Sequence, residues 1–139
     1  MDDWVNHALT VDVTAAAAAA RDAASLEAGR QADRLVGPPL RPGSPEWEAE
    51  EGTELPALRE RAWQLVQLRM DLAAGLDPIG NLIALRRGGA TWELIGKAAG
   101  VSRQSAHERW SARVTEVLDR YGTGEKAGPI ADDEAGLPA

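Results

Sequence analysis

Residues 91–110 read TWELIGKAAGVSRQSAHERW, and three of them leave the backbone little choice. Gly100 supplies the positive φ that a tight turn between two helices demands, a conformation strained for any residue with a Cβ. Ser102 follows as an N-cap, its hydroxyl placed to accept an amide of the next helix's first turn. Gly96 has no side chain to hold a second backbone away. Ahead of it, Thr91 opens a short helix whose face carries Ile95 and Ala99. Val101 is apolar and plugs the space between the helices. In the helix that starts at Ser102 and runs to about residue 121, Ala106, Trp110, Val114, Val117 and Leu118 make the buried face. Two helices joined at this spacing form a helix-turn-helix unit, whose second helix enters the major groove of DNA.

Upstream the chain also reads as helical. Residues 12–36, DVTAAAAAARDAASLEAGRQADRLV, are rich in alanine, the best helix former. Thr14 is the expected cap, and Ala16, Ala19, Ala23 and Leu26 the expected apolar stripe, interrupted by Arg30 and Asp33. Such a thin stripe implies either close packing on a partner or a loosely held arm, because short helices need tertiary support. Residues 37–45, GPPLRPGSP, hold four prolines and cannot keep a helical ladder. The acidic run 46–54, EWEAEEGTE, is a solvated spacer or a short helix capped by Ser44 with Pro45 at its first position. From 55 to 74, Leu58, Ala62, Leu65, Leu68 and Leu72 recur at three- and four-residue steps, with Val66 and Met70 widening the stripe. That is the signature of a long amphipathic helix. Gly75 ends it, and Asp77-Pro78 opens a helix carrying Ile79, Leu82, Ile83 and Leu85 that stops at Gly88-Gly89. The tail 122–139, GTGEKAGPIADDEAGLPA, lacks periodicity and is expected to be disordered.

No strand pattern competes. The expected fold is all-α, with a tri-helical module preceded by the long amphipathic helix and the alanine-rich one. Four segments follow: 1–43, an alanine-rich helix and proline-rich linker; 44–76, the acidic spacer and amphipathic helix; 77–121, the helix-turn-helix module; and 122–139, the tail. With no Phe and one Tyr, the core falls to aliphatic residues and five Trp. Trp92 and Trp110 read as core at their helical spacing rather than as base-stacking platforms, and Trp63 as a seal on the long helix or part of a dimer interface.

Chemistry of a catalytic kind finds little material. Cysteine is absent, His7 and His107 are far apart, and the carboxylates come in runs. No metal, cofactor or enzymatic activity is therefore expected. The fragment IGKAAG has Ala98 where a phosphate loop needs Ser or Thr, and no strand precedes it. No stretch approaches the roughly 18–20 apolar residues of a membrane span. The acidic start MDDWVNHALT is unlike a secretory leader, so a cytoplasmic, nucleoid-associated protein is expected. Charge is segregated. Residues 86–120 hold seven Arg or Lys and four Asp or Glu, a balance of +3, against -7 for the 139-residue chain. A basic module flanked by acidic arms suits a partner bearing phosphate.

The run GVSRQSAHERW, preceded by TWELIGKAA, resembles the helix-turn-helix of sigma-factor region 4 and of small bacterial regulators that share it. The likeness spans residues 77–121. Ala106 and Arg109 stand where region 4 sequences often carry larger aliphatics, and nothing upstream resembles the promoter-melting region. The resemblance implies a double-stranded-DNA reader rather than a complete sigma factor. It also implies contact with RNA polymerase, which makes a protein-interaction module the main alternative and a nucleoid, phage or plasmid accessory protein another. By position, Arg103, Gln104 and His107 are the candidate base readers. Arg suits guanine and Gln suits adenine. Candidate phosphate contacts are Ser102 and Thr91 at helix N-termini, with Arg86, Arg87, Lys97, Arg109 and Arg113. Surface ion pairing is the competing role for each arginine, with Glu116 at helical spacing from Arg113 and Arg120. One such unit contacts few base pairs, so a homodimer is expected, joined through residues 58–72 or the alanine-rich helix.

Overall fold

The computed structural model describes residues 2–121, and these residues form seven helices and no strand. In chain order they are α1 (Asp3–Thr10), α2 (Thr14–Val36), α3 (Pro45–Glu50), α4 (Leu55–Ala74), α5 (Ile79–Arg87), α6 (Trp92–Ala99) and α7 (Arg103–Tyr121). The fold is all-α. The expectation of a disordered tail falls on 122–139, outside the described residues. Among the described residues, no helix is long and apolar enough to cross a membrane.

Helix α4 is the post on which the rest stands, packing on α2 along one side and on α5 and α6 along another. Its leucines explain why. Leu68 is fully buried, and Leu65 and Leu72 pack against the same core as Leu82, Leu85, Ile95 and Trp92. Three of the stripe's leucines, Leu65, Leu68 and Leu72, thus serve the chain's own core, while Leu58 is 52% exposed. Asp71 lies in the same buried face, where its carboxylate accepts a hydrogen bond from the Asn81 side chain of α5. Burial pushes the Asp71 carboxyl above the ordinary aspartate range, against the Asn81 amide, which favours the charged form.

On the other side Trp63 fastens α4 to α2. Its ring lies 3.7 Å from the point where a Cβ on Gly29 would sit, and its Nε1 donates to Asp33 Oδ1 at 2.8 Å. Ala28 and Ala32 are the buried residues of α2. The expected stripe of Ala16, Ala19, Ala23 and Leu26 is instead exposed, because Trp63 meets the helix where small residues permit close approach. Thr14 is not the cap it was expected to be. Its hydroxyl and its amide both donate to Asp12 Oδ1, at 2.7 and 3.0 Å. Those bonds hold Asp12 below its ordinary range. Helix α1 was not anticipated; Asp2 caps it through the Trp4 amide at 2.9 Å, and it leaves Trp4, Val5 and Leu9 exposed. Helix α3 takes the capped-helix form of the acidic run, with Ser44 Oγ accepting from the Trp47 amide at 3.2 Å.

The angle between α6 and α7 is set by backbone-to-backbone contact. Gly100 adopts φ 75°, and the amides of Gly100 and Val101 turn back to the Lys97 and Gly96 carbonyls. The chain then passes so close to Gly96 that a Cβ there would lie 2.8 Å from the Val101 oxygen and 3.0 Å from the Ser102 oxygen. Gly80, near the start of α5, faces open space. Both glycines are helical, so alanine improves intrinsic propensity at each. At Gly80 the substitution should raise stability by about 0.5 kcal/mol. At Gly96 the backbone must move aside, and overpacking of this kind costs about 1–3 kcal/mol. Urea denaturation of Gly96→Ala and Gly80→Ala should therefore move the midpoint in opposite directions. A stabilised Gly96→Ala would show that the turn is not closely packed.

Candidate nucleic-acid interface

The N-terminal turn of α7 is built outward from its buried side. Ala106 and Val114 are fully covered and Trp110 nearly so, at 8% exposure. They hold one stripe of the helix against α5 and α6. Ser102 Oγ accepts the Ser105 amide at 3.0 Å, fixing the first turn as the capping residue implies. Arg103 and Gln104 stand on the exposed side of that turn. The Gln104 amide group donates to Glu108 Oε1, one turn on, at 3.1 Å. His107 is half-buried, its ring meeting Trp92 edge-on with centroids 5.6 Å apart. Thus two of the three candidate base readers are presented to solvent, and the third is seated on α6.

A shallow groove of about 370 Å³ runs beside this turn, lined by Glu93, Lys97, Val101, Ser102 and Arg103. Lys97 Nζ lies 3.9 Å from Glu93 Oε1, with both side chains mostly in solvent. Such an exposed pair is worth little and yields readily to a stronger anion. Arg109 is exposed and lies near the Trp110 ring, 6.0 Å from its centroid. Thr91 Oγ1 accepts the Leu94 amide at 3.1 Å, so it caps α6 and marks a second helix N-terminus on this side of the chain.

Two arginines have other uses. Arg86 was expected at phosphate and instead is 1% exposed. Its Nη1 donates to the Ala90 carbonyl at 2.9 Å, and its guanidinium carbon lies 4.9 Å from the centre of the Trp92 ring. The reason is local: the turn after α5 leaves a carbonyl inside the core that no helix amide reaches, and a buried acceptor needs a donor. From α4, Arg61 holds the adjoining Gly88 carbonyl at 2.9 Å. Arg113 was expected at phosphate or beside Glu116. It makes a two-pronged pair with Asp77 instead, Nη1 to Oδ1 at 3.1 Å and Nη2 to Oδ2 at 2.7 Å. Arg120 takes the pairing with Glu116, at 3.0 Å. Arg87, by contrast, is half-buried at the end of α5. The positive surface is therefore smaller than the charge count over 86–120 suggests, and it concentrates on Lys97, Arg103 and Arg109.

The pair that ties α7 to the segment just before α5 carried no local signal. Asp77 and Arg113 are 36 residues apart. Only the register of a folded α7 brings them together. Among the described residues, no group of three or more His, Asp or Glu is placed to hold a metal ion. Comparison with protein-family models, curated proteins and solved structures returns no match.

The Asp77–Arg113 pair makes a prediction of definite sign. Hydrogen bonding from Arg113 holds the Asp77 carboxyl below its ordinary 3.8, with a smaller contribution from the Ile79 amide. A depressed folded-state value means that the pair's stabilisation is present above about pH 4 and is lost as pH falls through the folded pKa. Carboxyl-carbon NMR should show Asp77 titrating below the usual aspartate range, and Arg113→Ala should shift it upward. Because both side chains are about half exposed, the change in stability at neutral pH should be small. An unshifted Asp77 in Arg113→Ala would mean that the pair does not persist in solution.

Proposed function

We propose that α5, α6 and α7 are a helix-turn-helix and that the protein is a sequence-specific regulator of transcription. In this reading α7 enters the major groove of double-stranded DNA from its Ser102 end. The observation that carries it is the division of α7: Ala106, Trp110 and Val114 are buried on one stripe while Arg103 and Gln104, at its leading turn, are exposed. A recognition helix needs that combination of a fixed axis and bare polar residues at the N-terminal end.

Arg103 is the guanine reader, through O6 and N7, and Gln104 the candidate partner of adenine. The Gln104–Glu108 hydrogen bond holds the amide in place before contact. His107, steadied by Trp92, completes the reading edge. Ser102 and Thr91 at their helix N-termini, with Lys97 and Arg109, meet the phosphates on either side. The functional unit is a homodimer on a two-fold site, since one such module buries too few base pairs. Its subunits meet through α1 and the outer face of α2, where Trp4, Leu9 and Leu26 are 81%, 70% and 59% exposed. Contact of the α6–α7 surface with RNA polymerase remains the competing use, in which Arg103 is dispensable.

A gel-shift comparison separates the two. Arg103→Ala should weaken binding to the preferred site by about ten- to a hundredfold, the loss of one bidentate base contact, and binding to random DNA much less. Affinity for either DNA should fall steeply with added salt as released counterions dictate. Equal losses on both DNAs would reduce Arg103 to a phosphate contact, and wild-type protein that shifts no DNA would overturn the proposal.

A further inference from the structure

The other end of the molecule holds a second cleft, away from α6 and α7. It has a volume of about 350 Å³ and lies between the proline-rich linker, α3 and α4. Its apolar walls are Pro39, Leu40, Trp47, Pro56 and Trp63. This is the lower end of the size range in which small-molecule sites are found, and an aromatic lining with few polar groups is their usual composition.

One of the two indoles is fixed before anything binds. Trp63 is held by Asp33 through its ring nitrogen and by Gly29 at its edge. Trp47 is half-buried, and its backbone amide, not its ring, bonds the capping Ser44. The charged residues at the cleft are Glu50, Arg59 and Glu60. Arg59 is bonded to Glu50, so the two cancel at close range. Among the described residues Glu60 has no cationic partner, and its carboxylate accepts from the neutral Gln64 amide at 3.0 Å. The surrounding sequence deepens the bias: residues 45–60 hold six carboxylates, at positions 46, 48, 50, 51, 54 and 60, against Arg59. Apolar walls, two indoles in the lining and an excess of carboxylates together select against anions and favour a cation that does not need its hydration shell.

We propose that this cleft binds a small organic cation whose charge is carried on a methylated ammonium beside an apolar or aromatic group. Trp47 and Trp63 supply the π-faces, Glu60 the counter-charge, and the prolines and Leu40 the apolar wall. The proposal uses no residue of α6 or α7 and stands independently of the DNA reading.

Three probes share one ring and differ in charge: benzyltrimethylammonium, benzyl alcohol and phenylacetate. Titrations are followed on the indole N–H signals of the full chain by two-dimensional NMR. The cation should shift the Trp47 and Trp63 signals, leave Trp92 and Trp110 in place, and bind about tenfold more tightly than the alcohol, with the anion weakest. Read on Trp63, Trp47→Ala should weaken the cation at least tenfold. Glu60→Gln, a surface change that keeps the Gln64 contact available, should weaken it about threefold and bring it closer to the alcohol. Equal affinity for cation and alcohol would leave a plain apolar cleft and overturn the proposal. So would the absence of any shift at millimolar cation. A Trp47 signal that moves with protein concentration alone would place a second copy of the chain in the cleft and would equally overturn it.

Discussion

The contact between Gly96 and the backbone of residues 101 and 102 governs how the second half of the chain is arranged. Helices that meet through side chains keep 8–10 Å between their axes and some freedom of angle. Here a carbonyl oxygen of the turn lies 2.8 Å from where a Cβ would be, so the connection between α6 and α7 has little room to relax. The consequences run outward from that point. The angle puts Ala106 and Trp110 against Ile95 and Trp92, and the opposite face of α7 is left bare. It also brings Arg113 to Asp77, which ties the middle of α7 to the start of α5. Arg86 reinforces the same unit from within by satisfying the carbonyl of the turn before α6 while lying over Trp92. A buried guanidinium is costly unless it is both hydrogen-bonded and packed, and here it is both.

Helix α4 links this unit to the N-terminal half. Trp63 faces α2, Leu68 and Leu72 face the core, and Arg61 reaches Gly88 in the turn that leads to α6. One helix thus touches the cleft beside Trp47 and the base of the proposed DNA-reading unit. Asp71 and Asn81 add a polar tie inside the same interface, and the raised Asp71 carboxyl reflects what that burial costs a charged group.

Much of the all-α fold was legible because its punctuation is local. Gly75, Gly88-Gly89 and Gly100 end helices, and Thr91 and Ser102 begin them, through hydrogen bonds spanning only a few residues. The leucine period of α4 likewise gave its bounds, and Gly96 announced a close approach. Partnerships were another matter. Alanine tracts carry almost no directional signal, so the buried face of α2 came from where Trp63 reaches it, not from its own periodicity. Helix α1 spans only eight residues, too few for its Trp4, Val5 and Leu9 to show a helical period. Arg86 and Arg113 look like any other arginine in the sequence; what separates them from Arg103 is an orphan carbonyl in one case and a distant aspartate in the other. The candidate reading edge was legible to the extent that it depends on helix position. Which cations are left over for phosphate was not.

Selection from a random DNA library tests most directly whether α7 presents its exposed leading turn to base edges. Purified protein should enrich a two-fold motif whose half-sites lie about 34–36 Å apart, one helical turn, or a multiple of that spacing, with guanine prominent in each half. A selected pool no different in sequence from the starting library would contradict it.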